Sequence, residues 1–193
     1  PGQGSAPTAR IAGWRSSVRV TTRTALPSSV SSRASASPRR PPPTISARTG
    51  SECTVPPMTA PRSVGVVGAG TMGAGIAQLA AQSGMRTVLH DAVPGALERG
   101  VRRIEEAWRR TPADGARKRL RTTGDLGDLA GCELVIEAAP ERLDLKAEIL
   151  GELATRCDAV LATNTSSLPV TAIGSASGAP ERVVGMHFFN PPP

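Results

Sequence analysis

Residues Val64 to Asp91 constrain the fold more than any other stretch, because they set an apolar strand, a glycine turn, an alanine-rich helix and a second apolar strand in immediate succession. Val64, Val66 and Val67 lead into Gly68-Ala69-Gly70-Thr71-Met72-Gly73, a G-x-G-x-x-G pattern, and Ile76, Leu79 and several alanines follow. Such a turn uses Gly68 for its tightness, Gly70 to let the backbone approach a pyrophosphate, and Gly73 to pack helix closely on strand. The free N–H groups and positive dipole end of the helix then face the phosphates. Thr87, Val88 and Leu89 form the second strand, and Asp91 closes it 18 residues after Gly73. A carboxylate there accepts both ribose hydroxyls of an adenosine and repels a 2′-phosphate. The stretch predicts a dinucleotide site that takes NAD in preference to NADP. A turn made for packing alone is the plainer reading of the hexad by itself. The strand before it, the helix after it and the spacing of the acid weigh against that reading.

The formal charge of +7 suggests a nucleic-acid binder until it is divided by position. Residues 1–57 hold eight Arg and one Glu, which is +7, leaving 15 basic and 15 acidic residues in 58–193. The same 57 residues carry nine Pro and many Ser and Thr, too little apolar surface to offset the entropy of ordering, so they are expected to be disordered. Three readings of this tail compete: sequence upstream of a start at Met58, a targeting peptide, or a basic interaction arm. The position of Met58 favours the first. Ile11, Trp14 and Val18 beside Arg15, Arg19 and Arg23 give the second an Arg-rich, acid-poor helical pattern of mitochondrial type. A nucleic-acid role is the weakest, since no folded module accompanies the charge. No apolar run is long enough to cross a bilayer, and three widely spaced cysteines without a metal-ligand pattern suggest a reducing compartment. The expected location is cytoplasmic, with the mitochondrial matrix second.

Beyond Asp91, Pro94 with Leu97, Val101, Ile104 and Trp108 predicts an amphipathic crossover helix. The basic stretch Arg117 to Arg121 reads as a solvated helical face, or else as a contact for an anionic ligand. Cys132 to Ala138 reads as a buried strand, and Leu143 to Arg156 as a helix with Leu143, Ala147, Leu150 and Ala154 on its inner face. Ala159 to Ala162 and Val183 to Met186 read as further strands. Strands alternating with helices predict an α/β fold of the Rossmann type, a doubly wound, mostly parallel sheet occupying residues 58–193. Phe188 and Phe189, after the last strand, are expected to be left partly exposed.

In such sheets ligands sit at the carboxyl ends of strands, and Gly68 to Gly73, Asp91, Glu141, Ser166 and His187 all fall there. Singly, Ser166 and Asn164 are ordinary turn residues and His187 a satisfied core histidine. Together at one rim, they suit a hydride-transfer site, with a base for an alcohol proton and hydroxyl and amide donors for a developing carbonyl oxygen.

The segments VGVVGAGTMGAGIAQLAAQSG, CELVIEAAPERLDLK, ATNTSSLPVTAI and ERVVGMHFFNPPP occur in one order over about residues 62–193. In that order they resemble the NAD-binding domain of the L-3-hydroxyacyl-CoA dehydrogenase family, which includes 3-hydroxybutyryl-CoA dehydrogenases. The resemblance implies oxidation of an L-3-hydroxyacyl-CoA to the 3-ketoacyl-CoA with NAD, in fatty-acid β-oxidation or short-chain acyl-CoA metabolism. It implies that His187 is the catalytic base, that Ser166 hydrogen-bonds the substrate oxygen, and that Asn190 supports the same site. NAD is then held by Gly68, Ala69, Gly70, Thr71, Met72, Gly73 and Asp91, with Glu141, Lys146, Ser166 and Asn190 toward its nicotinamide half. The chain departs from the family pattern in stopping before the glutamate that partners the histidine and before the helical C-terminal domain. The segment between Trp108 and Thr122 is also shorter than the family's helical hairpin. The chain is therefore expected to be an incomplete, inactive piece, with an acyl-CoA substrate, no nucleic-acid or membrane partner, and a homodimer only when the helical domain is present. Two alternatives stand beside this reading: an NAD-binding module without catalysis, and a related sugar-acid dehydrogenase.

Overall fold

The computed structural model describes residues 18–21 and 60–190. Six parallel strands form its centre: β2 (Ser63–Val67), β3 (Arg86–His90), β4 (Leu120–Thr123), β5 (Leu134–Glu137), β6 (Val160–Thr163) and β7 (Val183–Phe188). Their spatial order is β7-β6-β5-β2-β3-β4. The order reverses at β2, where the chain first runs outward through β3 and β4 and then returns to β5. This is the doubly wound order, which opens a crevice at the carboxyl ends of β2 and β5. A strand from the upstream region, β1 (Val18–Thr21), pairs antiparallel with the outer edge of β7. That strand corrects the expectation of disorder for residues 18–21. The rest of the tail reading lies outside the described residues.

The helices are α1 (Thr71–Gln82), α2 (Pro94–Arg110), α3 (Ala116–Arg119), α4 (Leu143–Arg156) and α5 (Val170–Ser177), with a 3-10 turn at Leu126–Leu129. Strand alternation sorts the core into two layers. Val64, Val66, Leu89, Leu134, Ile136 and Ala162 pack with Ile76, Ala77 and Ala80 of α1 and Ile104 and Trp108 of α2. Val67, Val135 and Leu161 pack on the other side with Leu129, with Leu150 and Leu153 of α4, and with Ile173 of α5.

Three expectations are corrected. Arg117 to Arg121 is one short helical turn running into strand β4, whose residues Leu120 and Thr123 are half-buried while Arg121 and Thr122 are exposed. An edge strand is covered on few sides, so it carries too few apolar residues to announce itself. Helix α4 has the expected ends, but its buried face is Lys146, Ala147, Leu150 and Leu153, and Leu143 is exposed. Phe188 is 1% exposed inside the core, whereas Phe189 alone is open, at 55%.

Cys132 and Cys157 are free, and both pack in the layer against α4. Burial pushes the Cys132 thiol up to about 11, which keeps it protonated and suits a packing role.

His90 ends β3 next to Asp91 and is buried, and its Nδ1 has no hydrogen-bond partner. Burial lowers its pKa; Asp91, the Gly124 backbone, Asp125 and Glu152 oppose the shift without cancelling it. The neutral ring is therefore the form that folds, while the unfolded chain binds its proton near pH 6.5. Stability should be fully present above about pH 6.5 and be lost as pH falls through the lower folded-state value. Melting temperatures taken from pH 8 to 5 should show this fall, and His90→Leu should flatten it. An unchanged slope in that variant would assign the acid sensitivity to other groups.

Candidate active site

The glycine turn is fixed by contacts that only glycine permits. Gly68 has φ +99°, and a Cβ on it would lie 2.8 Å from the Ala138 carbonyl oxygen. A Cβ on Gly73 would lie 1.7 Å from the Gly68 carbonyl oxygen, so α1 sits directly on the turn that precedes it. Gly73→Ala must push α1 away; overpacking of this kind costs about 1–3 kcal/mol and would move the helix N-terminus out of register with its ligand. Titration with NADH should show binding weakened at least in that proportion. Gly70 is different: a Cβ there would meet no protein atom within 4 Å. Space in front of Gly70 is open, and α1 begins there with no side-chain cap and no acidic residue in its first turn. An uncapped helix start facing open space fits a dinucleotide pyrophosphate.

Asp91 stands beside this turn. Its Oδ2 accepts from the Ala69 amide at 2.8 Å and its Oδ1 from the Val93 amide at 2.9 Å. Each carboxylate oxygen keeps acceptor capacity for a ribose hydroxyl. Asp91 therefore ties the glycine turn to the end of β3. Asp91→Asn should weaken NADH binding by about 1.5–3 kcal/mol, the value of a charged hydrogen bond, as read by fluorescence titration.

Across the switch point, the loops after β5 and β6 converge on the end of β7. Ser166 Oγ and His187 Nε2 are 3.0 Å apart, and the His187 and Phe189 rings meet edge to face with 5.4 Å between centroids. Glu141 organises the Ser166 loop. Its Oε1 accepts from Thr165 Oγ1 at 2.6 Å, the Ser166 amide at 2.9 Å, and the Ser167 amide and hydroxyl at 3.1 and 3.2 Å. Burial alone would raise the Glu141 pKa. The Thr165 hydroxyl, the Ser167 and Ser166 amides and the Lys146 charge outweigh it and hold the carboxyl at about 2, so it is ionised throughout the working range. Lys146 is 1% exposed and lies 3.4 Å from Glu141 Oε2 and 2.8 Å from Glu137 Oε1.

The structure thus joins Ser166, His187, Glu141 and Lys146 in one cluster and sets the Gly68–Gly73 turn with Asp91 across from it. Asn190 is exposed, and no hydrogen bond joins it to Ser166 or His187 among the described residues. Asn164 follows β6 at the same rim. It is buried, and its Oδ1 accepts from the Phe188 amide at 2.8 Å, tying the β6 loop to the strand that carries His187. Sequence reasoning missed Glu137, which is 0% exposed and bonded to Lys146. The available signal was a carboxylate ending an apolar strand nine residues before one of only two lysines in an Arg-rich chain.

Residues 63–193 match the family model described as 3-hydroxyacyl-CoA dehydrogenase, NAD binding domain. A probable 3-hydroxybutyryl-CoA dehydrogenase of Deinococcus radiodurans is 42% identical over 139 residues, which are 67% of this chain and 50% of that protein. The crystal structure of an (S)-3-hydroxybutyryl-CoA dehydrogenase from Ralstonia eutropha superposes with TM-score 0.65 at 38% identity, over 69% of this chain and 51% of the other. The 5-formyl-3-hydroxy-2-methylpyridine 4-carboxylate 5-dehydrogenase of Mesorhizobium japonicum is 35% identical over 68% of this chain and 45% of its own length. The chain spans about half the length of the curated relatives it matches. With the glycine turn, Asp91 and the Ser166–His187 pair in the places described, residues 63–193 belong to the NAD-binding domain of the 3-hydroxyacyl-CoA dehydrogenase family.

Proposed function

We propose that the protein to which this chain belongs oxidises an L-3-hydroxyacyl-CoA, of the 3-hydroxybutyryl-CoA class, to the 3-ketoacyl-CoA. The observation that carries this reading is the 3.0 Å contact between Ser166 Oγ and His187 Nε2 at the rim facing the dinucleotide turn. A secondary alcohol oxygen lying beside the pair, about 3 Å from each atom, would take the Ser166 hydroxyl proton's hydrogen bond in place of Nε2 and present its own proton to Nε2. With its own proton on Nδ1, His187 takes the hydroxyl proton on Nε2. The O–H electron pair becomes the second bond of the carbonyl, and the hydrogen on C3 leaves with its bonding pair. NAD held at the Gly68–Gly73 turn would supply the hydride acceptor. Ser166 donates its hydroxyl to the oxygen as it turns from alcohol to carbonyl, and Glu141 holds the serine loop in place while this happens.

A helical domain of the kind the family resemblance implies is proposed as the source of further acyl-CoA contacts and of a homodimer. Asn190 is proposed to support the nicotinamide end. The free Cys132 and Cys157 accord with a reducing compartment such as the cytoplasm.

The test supplies the full-length protein with NAD and, separately, 3-hydroxybutyryl-CoA, free 3-hydroxybutyrate and 5-formyl-3-hydroxy-2-methylpyridine 4-carboxylate. NADH formation with the thioester is expected, with NAD favoured over NADP by more than about tenfold because of Asp91. Turnover of the pyridine or the free acid without turnover of the thioester would move the protein to another substrate class.

A further inference from the structure

Glu137 touches neither the glycine turn nor the Ser166–His187 pair, yet it ends β5 as a fully buried carboxylate. Strand parity puts its side chain in the layer shared with Val135 and α4. Its Oε1 accepts from Lys146 Nζ at 2.8 Å and from the Ala139 amide at 2.6 Å, and its Oε2 from Thr163 Oγ1 at 2.7 Å. Packing gives no reason for an ion pair here, because a buried pair often does no better than apolar side chains of the same volume. Lys146 also sits in the first turn of α4, where the helix dipole disfavours an ammonium. What the pair does provide is connection. Lys146 Nζ is bonded to the Ala139 carbonyl at 3.0 Å and reaches Glu141 Oε2 at 3.4 Å, and Glu141 Oε1 holds the amides of Ser166 and Ser167. Ser166 then meets His187.

We propose that Glu137 is a positioning residue for the reaction: by fixing Lys146 from the interior of the sheet, it sets Glu141 and through it the orientation of the Ser166 loop against His187. The inference rests on reading Ser166 and His187 as the reacting pair. A lysine ammonium is a compact charge on a flexible stem. Held by Glu137 and Ala139, it touches Glu141 from one side only and leaves Oε1 to the serine loop. Released from Glu137, it has Glu141 as its remaining carboxylate and draws that group inward, away from the Ser166 and Ser167 amides.

The test is Glu137→Gln in the NADH-bound, full-length protein, read by amide hydrogen exchange and by steady-state kinetics. The Ser166 and Ser167 amides should exchange about tenfold faster or more, while the Ala69 amide, held by Asp91 on the far side of the crevice, keeps its rate. Turnover at saturating substrate should fall about tenfold or more, and by a larger factor than NADH affinity weakens, since a loosened loop costs the transition state more than the cofactor. Equal acceleration at Ser166, Ser167 and Ala69 would mean general destabilisation and would overturn the inference. So would unchanged exchange at the two serines. If Glu137→Gln does not fold, Thr163→Val removes one bond to the carboxylate without stranding a charge, and the same three amides decide. The exchange measurement does not depend on which substrate is oxidised. A protein inactive on hydroxyacyl-CoA thioesters would therefore sink the functional reading while leaving this coupling to be judged on its own result.

Discussion

His187→Gln should cut turnover by about 10²–10⁴-fold, the range expected for loss of a positioned general base, while NADH still binds with nearly the affinity of the parent. The separation follows from the geometry. The glycine turn and Asp91 lie at the ends of β2 and β3, whereas His187 is on β7 at the other side of the crevice, three strands from β2. Glutamine keeps a polar side chain near Ser166 but cannot take the alcohol proton at neutral pH. The loss should appear in turnover and in kcat/KM together, because proton removal belongs to the transition state. Turnover within threefold of the parent would show that another group is the base.

Lys146→Met should destabilise the domain by about 3–5 kcal/mol, the usual effect of removing one member of a buried ion pair. Methionine matches the lysine stem in length and suits the apolar side of α4, so loss of packing is small and the cost lies in the stranded Glu137 carboxylate. That group sits at 0% exposure beside Thr163 and Ala139, which donate to it without neutralising it. Combining Glu137→Gln with Lys146→Met removes both charges and should recover most of the loss, because two neutral side chains of similar volume tolerate the site. Urea unfolding of the two single variants and the double variant checks the cycle. Equal, additive losses would mean that the pair is not coupled in the folded state.

The parts of the fold that were legible in the sequence are those whose signal is local. Gly73 is constrained by the Gly68 carbonyl five residues before it, and Asp91 is marked by its spacing after the turn, although Gly68 is also fixed by the distant Ala138 carbonyl. Helix α4 is bounded by Leu143 and Arg156 as its periodicity predicts. What escaped depends on partners distant in the chain. Strand β4 exists because β3 offers it an edge, not because Leu120-Arg121-Thr122-Thr123 is strongly apolar. Phe188 is buried because β7 extends to it and turns it into the α1-side core, where a sequence ending in prolines suggested exposure. Lys146 was recognised as a site residue by resemblance, yet its place on the buried face of α4 broke the apolar pattern that located the helix. Its partner Glu137 lies nine residues upstream on a strand, and only the pairing of β5 with β6 and the packing of α4 bring Thr163, Lys146 and Glu137 to one point. Departures from local pattern of this kind are expected at functional sites, where a sequence serves chemistry as well as packing.

The most direct test of the central claim follows the hydrogen itself. Full-length protein incubated with NAD and 3-hydroxybutyryl-CoA deuterated at C3 should yield acetoacetyl-CoA and NADH carrying that deuterium, and His187→Gln should suppress both products in parallel. Absence of NADH, NADH without the label, or full label transfer by the His187 variant at the parent rate would contradict the account.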